Sequence, residues 1–278
     1  MFSRMRAMFT GLTVGLLSIL PAGAGTALES PWSNAGKAEV RLLAGRSLGT
    51  GSPLRAGVEI RMARGWHTYW RYPGDAGIPP RFDWSGSGNV SSVEVRWPAP
   101  QRIPIEGGLE SIGYSDDVLF PIYVRAADAE KPVALRLKLD FGVCEKICIP
   151  ASAKVALDIP LGSGKRNPLL DAAESRVPAL AQSNQKLGVI SAKLEQGKPP
   201  RALIEVAAPA GKPFDLFAEG PADDWALPLP KLIEHKNGRA RFSVAIEGAP
   251  AGVDPVPSKL RLTLVSGDRS IETFVPLD

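Results

Sequence analysis

Two residues in this 278-residue chain have the chemistry for covalent exchange, Cys144 and Cys148, and they are its only cysteines. They sit in Phe-Gly-Val-Cys-Glu-Lys-Ile-Cys-Ile-Pro, positions 141–150, with three residues between them. The run leading in alternates: Val133, Leu135, Leu137, Leu139, Phe141 and Val143 share one face, and Arg136, Lys138, Asp140 and Gly142 the other. Continued alternation puts Cys144 on the polar face rather than in the core. After Glu145-Lys146-Ile147 a second alternating run follows, with Val155, Leu157 and Ile159 apolar. Two strands joined by so short a turn set the sulfurs side by side, within disulfide reach. The spacing therefore predicts a hairpin tip carrying a disulfide.

Such a bridge closes a small ring and stabilises the fold by only about 2 kcal/mol in the chain-entropy model. The chain is long and 44% hydrophobic, enough to bury cores without covalent help. A weakly stabilising bridge at an exposed turn suits thiol–disulfide exchange, which needs an accessible sulfur. It also suits an ordinary structural staple. Spacing does not decide between them, because spacing does not set reduction potential.

Other chemistry finds less support. A metal site built from the two cysteines and His67 lacks a second ligand pair at metal spacing, so no metal or cofactor is expected. Only Met62 survives among the methionines once the first residues are set aside, which disfavours a thioether copper carrier. Two histidines, His67 and His235, give a Ser-His-Asp arrangement no convincing candidate. Trp66, Tyr69, Trp70 and Tyr72 are a candidate platform for a sugar or peptide. Strand alternation instead sends Trp66 and Trp70 to one face and Tyr69 to the other, the pattern of core packing with scattered surface aromatics. The net charge of +4, with interspersed signs, argues against nucleic acid and anionic membranes.

The elements that position the cysteines read as mainly β. Residues 1–27 resemble a cleaved signal: Arg4 and Arg6, an apolar stretch from Met8 to Leu20, then Ala22-Gly23-Ala24, with cleavage after Ala27 nearly as good a fit. The apolar run is short for a membrane span and none follows, so export to a disulfide-permitting compartment is expected, without stable membrane insertion. Strands are expected at 38–43, 54–62, through the aromatic run after Gly65, and at 81–84, 92–97 and 118–124. A long loop is expected at 98–115. Together with the cysteine hairpin they make an antiparallel, immunoglobulin-like β-sandwich over residues 28–162. Residues 163–186 read as a helical connector, with the helix over Asn167–Gln185, capped by Asn167 and kinked or ended by Pro178. Residues 187–278 read as a second, smaller β-sandwich without evident chemistry, a spacer or docking domain, with hairpin turns at Asn237-Gly238 and Ser266-Gly267-Asp268.

Several segments in order carry a resemblance: Trp66-His67-Thr68-Tyr69-Trp70-Arg71 with Pro73-Gly74-Asp75, Trp97-Pro98-Ala99-Pro100, Gly113-Tyr114 leading to Phe120-Pro121, and Cys144…Cys148-Ile149-Pro150. Over about residues 35–160 the chain resembles the periplasmic N-terminal domain of the DsbD family, and more closely its ScsB-type members. The resemblance implies a periplasmic immunoglobulin-like domain that takes electrons from a membrane-embedded donor and passes them to thioredoxin-like periplasmic partners. It implies that Cys148, followed by Ile149-Pro150, forms the mixed disulfide and that Cys144 resolves it, with Glu145 and Lys146 placed to tune the thiols. DsbD has a longer cysteine spacing and an aromatic cap loop. The corresponding stretch here is Glu106-Gly107-Gly108-Leu109, leaving Tyr114 or Leu109 to substitute. The usual transmembrane portion is not in this sequence, so the electron donor is expected on a separate chain. The rival reading is a non-catalytic interaction module with a structural hairpin disulfide.

Overall fold

In the computed structural model, residues 28–46, 51–182, 187–208, 211–222, 225, 227–247 and 259–277 are described. The expected signal segment and the end of the expected connector helix lie outside them. The chain is mainly β. In order the strands are β1 (Ser33–Asn34), β2 (Ala38–Ala44), β3 (Leu54–Met62), β4 (His67–Gly74), β5 (Arg81–Asp83) and β6 (Val90–Val95). There follow β7 (Gln101–Pro104), β8 (Glu110–Ser115), β9 (Asp117–Ala126), β10 (Val133–Cys144) and β11 (Cys148–Ile159). After helix α1 (Pro168–Ser175) come β12 (Ala179–Leu180), β13 (Gly188–Glu195), β14 (Arg201–Ala207) and β15 (Phe214–Glu219). The last four are β16 (Lys231–Lys236), β17 (Arg239–Ala245), β18 (Lys259–Ser266) and β19 (Arg269–Pro276).

The strands up to β11 form two sheets. One has the order β1-β2-β3-β9-β6; the other runs β11-β10-β4-β8-β7, with β5 also paired to β10. Between them the inward-facing residues of alternating strands form one core, including Val40, Leu42, Val58, Ile60, Trp70, Phe120, Ile122, Leu135, Leu139 and Phe141. Strands β12-β19-β18-β15 and β13-β14-β17-β16 form two further sheets around a second core that includes Ile204, Val206, Leu216, Trp225, Phe242, Leu262 and Leu264. Among the described residues every strand pairing is antiparallel except that of β12 with β19.

Two expectations are corrected. Residues 98–115 are not one loop: β7 and β8 pair as a hairpin, Gln101 opposite Gly113 and Pro104 opposite Glu110. Gly107 and Gly108 turn the chain with φ of 79° and 77°, a region that glycine enters without cost, and prolines had masked the short strand before them. The helix is only eight residues long, ending before Pro178, whose ring cannot continue it. Its start is as expected: the Asn167 side chain accepts from Leu169 N, and Pro168 occupies the first turn. Leu170 is buried against Gly57 and Gly45, while Arg55 donates to Asp171 and Glu174 across 2.6 Å each.

Strand β4 touches both halves of the molecule. Trp70 packs on Phe217, with ring centroids 5.9 Å apart. Arg71 bridges Glu219 at 2.7 Å and Glu272 at 2.6 Å, and the Tyr72 hydroxyl donates to Leu227 O. Arg102 on β7 adds an ion pair to Asp215 at 2.7 Å.

Candidate functional site

The β10–β11 hairpin sets Cys144 directly opposite Cys148, in register with Leu139 opposite Ala153 and Val133 opposite Ile159. Gly142 faces Pro150, which has no N–H, and Gly142 N–H donates to Ile78 O instead. Gly142 and Pro150 are therefore a non-hydrogen-bonded pair. Alternation makes Cys144 and Cys148, two positions on, the same kind of pair, the kind that brings Cα atoms to about 4.5 Å. That separation lies inside the range a disulfide spans, about 4.4–6.8 Å. The two cysteines are held here as free thiols rather than the expected bridge.

Cys144 lies on the outer face of its sheet, as alternation requires, yet it is only 3% exposed. The outer face is covered at this end. His67 and Tyr69, neighbours on the same face of β4, lie beside it, with His67 the cross-strand partner of Cys144. The Tyr69 hydroxyl lies 2.9 Å from Cys148 Sγ. The chain after β4 then folds back over the ring: a Cβ on Gly77 would strike Tyr69, and one on Gly142 would lie 2.9 Å from both Ile78 and Tyr69. Cys148 itself is exposed, as are Ile147 and Ile149 beside it. Because β11 is an edge strand, nothing in the sheet pairs with its outer side.

Burial dominates the electrostatics. It pushes the Cys144 thiol up to about 11, reinforced by its hydrogen bond with Cys148 and partly offset by Tyr69. Burial likewise pushes the Tyr69 phenol far up, and the two cysteines add to it. His67 is moved the other way, below its ordinary value, because burial disfavours the imidazolium. At neutral pH the recess beneath Cys148 is thus lined by uncharged groups.

The other expected site residues are not all brought together. Glu145, Lys146 and Pro150 are exposed at and beside the hairpin tip. Glu106 is exposed in the turn before β8, and Leu109 is 48% exposed there. Tyr114 does not shield the cysteines: it lies in the core, packed on Phe120 with its hydroxyl donating to Pro98 O at 2.9 Å. The covering aromatic is Tyr69, which is fully buried and not a scattered surface residue. The alternation of 66–70, which sends His67 and Tyr69 to the face opposite Trp70, held the signal for both residues. Among the described residues no cluster of metal-ligating side chains occurs, and no helix is long and apolar enough to cross a membrane.

The site is a paired cysteine hairpin at the edge of an immunoglobulin-like sandwich, with Cys148 exposed and Cys144 buried. Residues 39–160 match the family model of the thiol:disulfide interchange protein DsbD, N-terminal. The fold is similar to the crystal structure of the N-terminal periplasmic domain of ScsB from Proteus mirabilis, with a TM-score of 0.70 and 20% identity over 91% of this chain and 99% of that one. A search of curated proteins finds no match.

Proposed function

We propose that the chain performs thiol–disulfide interchange in the periplasm, with Cys148 as the attacking sulfur and Cys144 as the resolving one. The observation that carries this reading is the asymmetry of the pair: Cys148 is open to a partner, while Cys144 is 3% exposed and directly opposite. A partner disulfide reaches only Cys148. The Cys148 thiolate attacks it and forms a mixed disulfide as the partner's first sulfur leaves as thiolate. Cys144 then attacks Cys148 Sγ, closing the Cys144–Cys148 bridge and releasing the reduced partner. Reversal of these steps reloads the pair from a donor. The family match supports a donor embedded in the membrane and thioredoxin-like acceptors. The second hydrophobic core, built entirely from residues 187–277, supports a division into a redox sandwich at 28–162, a connector at 163–186 and a second sandwich at 187–278 that braces β4 through Phe217.

The test is the reduction potential of the pair in the purified protein, equilibrated in glutathione or dithiothreitol buffers with thiols trapped by alkylation. A value well above about −300 mV supports interchange, and Cys144→Ala then accumulates a mixed disulfide with thioredoxin-like partners. A value well below that range makes the bridge a staple and the chain a non-catalytic interaction module.

A further inference from the structure

The interchange just described leaves one step unaided. Cys144 must lose its proton to resolve the mixed disulfide, and burial holds that proton tightly, with the thiol pushed up to about 11. Little of it is thiolate at neutral pH, so a resolving attack without a base is slow.

We propose that His67 is the general base for Cys144: its Nε2 takes the Cys144 proton as the thiol attacks Cys148. His67 is the register partner of Cys144, and side chains so placed on one face have Cβ atoms about 5 Å apart. Its Nε2 is buried and has no hydrogen-bond partner in the free protein, Cys144 Sγ included, so the proton transfer requires the two to close on each other once Cys148 is in the mixed disulfide. His67 is 5% exposed and its ring is held edge-on to Tyr69, with centroids 5.5 Å apart, so its position is fixed by packing. Burial keeps the imidazole neutral, the form with a lone pair to offer.

The groups around the ring are few. Tyr69 neighbours it on β4, Cys144 and Cys148 lie on β10 and β11, and Ser115 is its partner on β8, engaged by Gln101. Among charged residues, Arg64 lies three positions before it and Arg71 four after it in the chain, Glu145 of the hairpin turn comes near Gly65, and Asp116 N–H donates to Trp66 O. The step balances without another reactant. The Cys144 proton passes to Nε2, the Cys144–Cys148 bond forms, and the bond from Cys148 to the partner breaks. Its electron pair leaves on the partner thiolate, and the buried imidazolium returns its proton to that thiolate or to water.

This role rests on the interchange reading, and one experiment separates their failures. Reduced protein is mixed with excess 5,5′-dithiobis(2-nitrobenzoate), and the released thionitrobenzoate is followed by stopped flow. The first equivalent reports attack by Cys148, the second resolution by Cys144. In His67→Phe and His67→Gln the second phase slows by about a hundredfold at pH 7, the scale of a lost general base, while the first is unchanged. The difference closes as the pH approaches 11. Added imidazole restores the second phase in His67→Ala, which a merely structural histidine does not explain. A second phase of wild-type rate in folded His67→Gln overturns the assignment, as does a slowed phase that neither pH nor imidazole restores. A wild-type protein that releases only one equivalent overturns interchange itself, and the role of His67 with it.

Discussion

The hydroxyl of Tyr69 sits 2.9 Å from Cys148 Sγ, joining a buried strand of the sheet to the one sulfur a partner can reach. Tyr69 has no charge to lend, since burial pushes its phenol far up and leaves it a neutral donor. Its use is to donate to the sulfur as negative charge forms there, and a hydrogen bond to a charged group contributes about 1.5–3 kcal/mol. In Tyr69→Phe, alkylation of Cys148 by iodoacetamide at neutral pH, measured in a Cys144→Ala background, should slow about tenfold. An unchanged rate would show that the contact is packing only.

The segment folded over the site makes a second expectation. A methyl added at Gly142 meets Ile78 and Tyr69 at 2.9 Å, closer than side chains approach. Gly142→Ala should therefore displace the covering loop, lower stability by about 1–3 kcal/mol and raise the alkylation rate of Cys144. Urea unfolding and mass-resolved alkylation measure both; a stable variant with Cys144 still protected would mean that the loop yields without uncovering the sulfur.

Strand β4 is anchored by Arg71, whose side chain is 13% exposed between Glu219 and Glu272, themselves 14% and 12% exposed. Arg71→Met leaves Glu219 and Glu272 with Arg261 alone, at 3.9 Å and 2.9 Å, a change that costs at most about 3–5 kcal/mol. Adding Glu219→Gln and Glu272→Gln should recover much of that loss in a thermal unfolding series. Additive losses would instead mean that the pairs contribute independently of one another.

The reduced protein should lose stability in alkali. Burial raises the folded-state value of Cys144 from 9.0 to about 11. The contribution is fully present below about pH 9, where the thiol is protonated folded or unfolded. It is lost as the pH rises towards 11, because the unfolded chain releases the proton first. Urea midpoints of reduced wild type should fall more between pH 8 and 11 than those of Cys144→Ser. Parallel curves would place Cys144 in a more solvated setting.

Much of the site was written locally. The alternation from Val133 to Val143, the three-residue turn and the returning strand specify a hairpin whose register sets Cys144 opposite Cys148, because period-two side chains and a short turn leave one pairing. The same alternation puts Cys144 on the outer face, and its split of Trp70 from Tyr69 is likewise as observed. A face is a local property, whereas what covers it depends on a strand some seventy residues earlier. That is why Tyr69 read as a surface aromatic, His67 as unremarkable, and Tyr114 or Leu109 as the shield. The mispairing of 98–115 as loop has a related cause: Pro104 and two glycines weaken the local signal, and only pairing with β8 makes Gln101–Pro104 a strand. By itself the sequence determined the cysteine pair, its register and a mainly β chain. Tertiary structure alone decided which sulfur is open, which is buried, and that a neutral histidine and a tyrosine lie beside them, because solvent exclusion arises only when distant segments pack together.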